Sequence, residues 1–190
     1  AVGNYLWAKR IGGPDNDQSL SVNLDGSGNV LISGGFKSTN VDFDPNGGTA
    51  NLTCMGDFDL FIAKYNNTGS YIWAKSIGGA SFETCHGLTV DGFDNVYITG
   101  NFLSTNVDFD PGAGVANLTN AGESDIFLAK YDATGQYLWA KSLGSTDSDA
   151  SFCIAVGGAG KINIGGGVLQ TVDFDPGPGT VNRTAVGQCS

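Results

Sequence analysis

Short apolar runs recur along this chain, each closed by a cluster of Gly, Asn, Asp or Ser. Ser19–Leu24 and Val30–Phe36 flank the turn formers Asp25-Gly26-Ser27-Gly28-Asn29. Asn66-Asn67-Thr68-Gly69 and Ala133-Thr134-Gly135 punctuate later runs in the same way. Apolar runs of this length between turn clusters predict strands joined by tight connections. No stripe of period 3.6 continues past one turn, so no helix is predicted. Along Leu60-Phe61-Ile62-Ala63-Lys64-Tyr65, Phe61, Ala63 and Tyr65 face one way and Leu60 and Ile62 the other. Both faces are therefore apolar, which predicts a strand buried between stacked sheets.

The pattern is periodic. Tyr5-Leu6-Trp7-Ala8-Lys9 returns as Tyr71-Ile72-Trp73-Ala74-Lys75 and as Tyr137-Leu138-Trp139-Ala140-Lys141, so the tryptophans lie 66 residues apart. Val-Asp-Phe-Asp-Pro occurs at Val41–Pro45, Val107–Pro111 and Val172–Pro176, and Asp59–Tyr65 is matched by Asp125–Tyr131. Three ordered markers in step define tandem repeats. The approximate repeats are 5–70, 71–136 and 137–190, within a single domain spanning residues 1–190. Each is predicted to hold four strands: Ser19–Leu24 (echoed by His86–Val90 and Phe152–Val156), Val30–Phe36 (echoed by Val96–Phe102 and Ile162–Val168), the Phe-Ile-Ala-Lys-Tyr strand and the Trp-Ala-Lys strand. Between the second and third lies an insertion of about twenty residues carrying the Val-Asp-Phe-Asp-Pro element.

The expected fold is all-β: four-stranded antiparallel blades in tandem, stacked face to face in a β-propeller-like arrangement. The Trp-Ala-Lys-x-x-Gly-Gly strand, the Asp-x-x-Gly-Asn-Val-x-Ile-x-Gly-x-Phe hairpin and Asp-x-Phe-Ile-Ala-Lys-Tyr resemble the bacterial seven-bladed β-propeller repeat family. Ser142-Leu143-Gly144-Ser145 departs from the Gly-Gly ending kept at Arg10–Gly13 and Ser76–Gly79. The resemblance implies a secreted or surface protein and no shared catalytic residues; it speaks to fold more than to function.

Counting strands gives eleven where three complete repeats hold twelve, with Tyr5–Lys9 as the first. The absent one is the Asp-x-Phe-Ile-Ala-Lys-Tyr strand of the last blade. Three blades are also fewer than the usual closed ring. Either the residues belong to a longer propeller, or an open apolar edge takes a strand from a neighbour and the chains polymerise.

Charge and chemistry narrow the reading. The net charge of −10 comes from seventeen Asp and two Glu, which leaves no basic stripe for nucleic acid or an anionic membrane. No apolar stretch approaches the ~20 residues of a membrane span. Cys54, Cys85, Cys153 and Cys189 lack metal-type spacing, so two disulfides in an oxidising compartment are expected, with buried free thiols as the alternative. The pairs Asp42/Asp44, Asp108/Asp110 and Asp173/Asp175 alternate along extended segments. Each pair is a candidate for sharing a calcium ion, unless these residues only cap turns. Asp17, Glu83 and Asp149 add one acid per repeat. Asn51, Asn117, Asn182 and Asn66 begin Asn-x-Thr triplets, which are glycan acceptors or simply hairpin residues. Trp7, Trp73 and Trp139 are expected in blade packing rather than on a sugar platform. The lone His86 has no partner motif, so catalysis is not expected. These features predict a non-catalytic extracellular or cell-surface structural protein that self-associates through strand completion. The alternative is a surface propeller that binds carbohydrate or protein.

Overall fold

A computed structural model describes residues 3–186. Its long strands are β1 (Asp17–Leu24), β2 (Val30–Phe36), β5 (Asp59–Tyr65), β6 (Tyr71–Ile77), β7 (Glu83–Val90), β8 (Val96–Phe102), β11 (Asp125–Tyr131), β12 (Tyr137–Leu143), β13 (Ala150–Val156) and β14 (Ile162–Gly167). Each insertion folds into a two-stranded hairpin: β3 (Val41–Asp42) with β4 (Asn51–Leu52), β9 (Asn106–Asp108) with β10 (Asn117–Thr119), and β15 (Thr171–Asp173) with β16 (Asn182–Thr184). The only other element among the described residues is one 3-10 turn at Gly158–Gly160.

Two antiparallel sheets have four strands, in the orders β1-β2-β5-β6 and β7-β8-β11-β12; the third pairs β13 with β14 alone. The chain is all-β, built of blades in tandem. One expected strand does not form. Tyr5–Lys9 joins no ladder, and Tyr5 and Leu6 are exposed. A lone fourth strand has no third strand beside it to supply ladder hydrogen bonds. Its tryptophan still docks: Trp7 Nε1 donates to the Asn67 carbonyl at 2.9 Å.

The alternation along the third strand sorts its side chains into two cores, as the sequence predicts. Phe61, Ala63 and Tyr65 join Phe36, Val41 and Phe43 on one face, whereas Leu60 and Ile62 pack toward the next blade. Phe43 sits 5.1 Å from Phe61 and 5.9 Å edge-on from Phe36. Burying each such ring is worth about 1.5–3 kcal/mol. The insertion hairpin thus caps its own blade with an aromatic side chain.

Each first strand carries a bulge, at Ser19/Ser21, Cys85/Gly87 and Ser151/Cys153, opposite Gly34, Gly100 and Gly166. A Cβ on those glycines would come within 2.0, 1.9 and 2.2 Å of the carbonyl oxygens of Gln18, Thr84 and Ala150. No side chain fits at that distance, which explains the repeated glycine.

Blades touch along their first strands. Cys85 Sγ donates to Ser33 Oγ at 3.1 Å, the Leu88 amide donates to Ser21 Oγ at 3.1 Å, and Thr99 and Ser151 share a 2.6 Å hydroxyl contact. Short parallel bridges, Phe58 with Phe82 and Ser124 with Ser148, tie each third strand to the blade that follows. At the outer edge, Trp73 lies against Gly135, whose φ of 79° makes the turn beneath it, and donates to the Ala133 carbonyl at 3.3 Å. Trp7 repeats this on Gly69 and Asn67. Trp7 and Trp73 are thus blade-to-blade contacts, whereas Trp139 packs edge-on against Tyr97 of its own blade.

Candidate functional site

Part of the surface that is covered between the first two blades is open beside β14, although Ile126, Leu143 and Val172 still form a buried cluster there with Ile164 and Val168. A groove of about 660 Å³ is lined by Leu128, Trp139 and Leu143 on one wall and Ile162, Ile164 and Phe174 on the other. Between the first and second blades the matching residues Ile62, Trp73 and Ile77 face Val96, Ile98 and Phe109, with Phe127, Ala129 and Tyr131 of β11 in the same buried cluster. The groove is therefore the place a third strand would occupy. Exposure agrees: Phe43 and Phe109 are 1% and 0% exposed under their strand partners, whereas Phe174 is 39% exposed. Tyr65 and Tyr131 each donate from their hydroxyl to the carbonyl of Phe43 or Phe109, at 2.9 Å. Apolar walls and a half-exposed ring thus mark the position that the third strand takes in the first two blades.

The third strands meet a polar node at the turn between first and second strands. Asp25 accepts from the Ser27 and Asn29 amides and the Asn29 side chain, all within 2.9 Å, and pairs with Lys64 at 2.8 Å. Burial opposes charge on this carboxyl, but the Lys64 ammonium and the hydrogen bonds prevail and hold it down to about 2. In the second blade Asp91, Asn95 and Lys130 repeat the node, with Lys130 3.7 Å from Asp91 and 4.8 Å from the Tyr97 ring centre.

The acidic pairs sit in the insertion hairpins. Asp42 Oδ1 accepts from the Asp44 and Ala50 amides, Asp108 Oδ1 from Asp110 and Ala116, and Asp173 Oδ1 from Asp175 and Val181, at 2.7–3.0 Å. The second acids do likewise: Asp44 accepts from Asn46, Asp110 from Gly112 and Asp175 from Gly177. Each carboxylate thus spends one oxygen on its own loop, as a turn cap does. No group of three His, Cys, Asp or Glu side chains gathers among the described residues. Asp17, Glu83 and Asp149 have a different task. Each accepts amides from two loops at once: Gly13 and Ser38 for Asp17, Gly79 and Ser104 for Glu83, Ser145 and Leu169 for Asp149. They clamp the entry of a blade to the exit of its second strand.

Asn51, Asn117 and Asn182 open β4, β10 and β16 and are exposed; Asn66 caps its turn through Oδ1 to the amides of Thr68 and Ser70. The cysteines depart from expectation. Any two-bridge scheme must join two of Cys54, Cys85 and Cys153, yet these three are free thiols; Cys189 lies outside the described residues. Their surroundings explain it. The Cys54 thiol faces Asp59, Cys85 is committed to Ser33 in the preceding blade, and Cys153 is exposed. Burial pushes the Cys85 thiol up to about 12, and burial together with Asp59 raises that of Cys54, so neither forms a ready thiolate. His86 shares a 2.9 Å contact with Asn101 and an edge contact with Phe152. The groove itself was legible as a missing strand. The insertion hairpin that supplies its Phe174 wall was not, because two- and three-residue strands leave no periodic trace.

Comparison with known proteins agrees with this architecture. A β-propeller repeat family matches residues 72–110, from the Trp strand of the second repeat to its Asp pair. Over those residues the chain is similar to a β-propeller repeat. An uncharacterized WD repeat-containing protein of Acanthamoeba polyphaga mimivirus is 28% identical over 161 residues, covering 73% of this chain and 12% of that protein. Regulatory protein FlaEY of Caulobacter vibrioides is 25% identical over 111 residues, covering 58% of this chain and 12% of its own. The chain thus spans about an eighth of the length of the curated relatives it matches.

Proposed function

We propose that this chain is a non-catalytic structural segment of an extracellular assembly, such as a surface fibre or matrix. In it, the β13-β14 blade is completed by a strand from a neighbouring copy. The observation that carries this reading is Phe174, a ring buried in the two equivalent positions and left exposed at the mouth of an apolar groove. An apolar groove beside an open strand edge is a site of strand addition. Contact between a groove and a strand elsewhere on the molecule is head-to-tail, which propagates instead of closing. Threefold repetition of the Asp pairs and Asn-x-Thr triplets suits a structural array better than a single catalytic centre. The extracellular setting follows from the resemblance to secreted propeller-repeat proteins.

Electron microscopy of the native protein tests this, with wild type beside Leu128→Asp. Regular filaments or matrices from wild type, dispersed by the groove substitution, are expected. Discrete closed discs in both samples would sink the assembly role and leave a ligand-binding propeller.

A further inference from the structure

The contact between the second and third blades repeats the one before it with its chemistry exchanged. Between the first and second blades, Phe58 stacks on Phe82 with ring centres 5.0 Å apart, and the Cys54 thiol lies 3.5 Å from Asp59 Oδ1. One repeat later Ser124 and Ser148 stand in place of the two rings, Asn120 in place of Cys54, and Asp149 in place of Glu83. The Ser124 and Ser148 hydroxyls meet at 2.8 Å, and Ser124 Oγ donates to the Asp149 carbonyl at 3.2 Å. Asn120 turns its amide to the carbonyls of Phe102 and Glu123, not to Asp125. Asp125 is left half-used. Its Oδ2 accepts from the Ala121 amide at 3.0 Å, but among the described residues its Oδ1 has no hydrogen-bond partner, although Asp125 is only 2% exposed. That oxygen faces Gly144, next to Ser145, whose amide is held by the fully buried Asp149.

We propose that Asp125 and Asp149, with the hydroxyls of Ser124 and Ser148 and the carbonyls of the following turn, form a calcium site between the second and third blades. Two observations carry it. A buried carboxylate oxygen without a partner calls for an ion or another ligand, and two neighbouring buried acids call for a counter-charge. Burial and the charge of Asp149 both raise the Asp125 carboxyl, against the Ala121 hydrogen bond. The ion pairs among the described residues are Lys64 with Asp25 and Lys130 with Asp91, so no basic side chain neutralises Asp125 and Asp149. A divalent cation balances the two acids. Hydroxyl and carbonyl oxygens complete a hard, irregular donor set of the kind calcium accepts; the carbonyls of Ser145 and Thr146 lie against Gly122, beside the Ala121 amide that holds Asp125. Ser148 is exposed, which gives the ion a route inward. The site is separate from the acidic pairs of the insertion hairpins, which cap their own loops. Its ion would fasten the third blade to the second where the first interface uses stacked rings.

Calcium chloride titrated into the chelator-treated chain tests this, by calorimetry and by the melting temperature with and without the ion. Wild type is expected to bind calcium and to melt higher in its presence, since a ligand of the folded state stabilises it. Asp125→Asn keeps the shape of the side chain and removes its charge. It is expected to weaken binding by about tenfold or more, because calcium affinity follows the charge of its ligands. Ser124→Ala keeps both acids and is expected to weaken binding by a smaller factor. Asp42→Asn, in the first insertion hairpin, is expected to leave binding unchanged. Wild type that shows neither heat nor a shift in melting temperature would overturn the site. So would unchanged affinity in Asp125→Asn and Ser124→Ala, or binding that is lost in Asp42→Asn instead.

Discussion

At the level of single residues, two kinds of constraint recur in every blade. The first is steric. Gly100 faces the bulged backbone of β7 so closely that a methyl group would sit 1.9 Å from the Thr84 oxygen. Gly100→Ala is expected to destabilise the chain by about 1–3 kcal/mol, the usual range for overpacking, read from urea unfolding. An unchanged midpoint would mean that the bulge is free to shift. The second is electrostatic. The Asp25 carboxyl, held to about 2 against an ordinary 3.8, gains proton affinity on unfolding. Its charge therefore contributes stability in full above about pH 3.8, and this contribution is lost as pH falls through about 2. Other aspartates with lowered pKa, Asp17 and Asp91 among them, share this trend. The melting temperature of Asp25→Asn is thus expected to fall less steeply than wild type between pH 5 and pH 2, without becoming flat. Parallel slopes would show that the Lys64 pair contributes nothing to acid sensitivity.

Among the strands, the same motif has unequal worth depending on what stands beside it. Trp73 belongs to a complete ladder and to the core between blades, at 9% exposure. Trp7 has the same sequence around it but no ladder, only the Gly69 turn and one hydrogen bond. Trp73→Ala is expected to cost about 3–5 kcal/mol, as removal of a core aromatic does. Trp7→Ala should cost about 1 kcal/mol or less, on the scale of one net hydrogen bond. Denaturant titrations of the two variants decide this, and equal losses would place Tyr5–Lys9 in a formed strand.

In the molecule as a whole, stability follows the completeness of each blade. Repeat architectures distribute stability among units and their interfaces, and regions with fewer buried contacts open more readily. Hydrogen exchange should be slowest in β8 and β11, which are paired on both sides, and fast in β14, which is paired only with β13. If β14 is already as slow as β8 in the free chain, its open edge is covered and the groove is no docking site.

The repeat length, the strands of the first two blades, the two-sided burial of β5 and the docking of Trp7 and Trp73 were legible along the chain. All of these follow from local alternation and from copies that can be aligned with one another. The rest depended on how the chain folds back on itself. The tertiary structure showed that Tyr5–Lys9 forms no ladder, since a strand exists only with a partner to receive its hydrogen bonds. It gathered Asp17, Glu83 and Asp149 into loop clamps and turned the Asp pairs into hairpin caps, because which amides a carboxylate meets depends on how loops return. It separated Cys54, Cys85 and Cys153, since an even number of thiols says nothing about where their side chains point. It also showed Phe174 waiting at an apolar wall, because burial is a property of neighbours, and the spacing of residues along the chain does not record which neighbours are there.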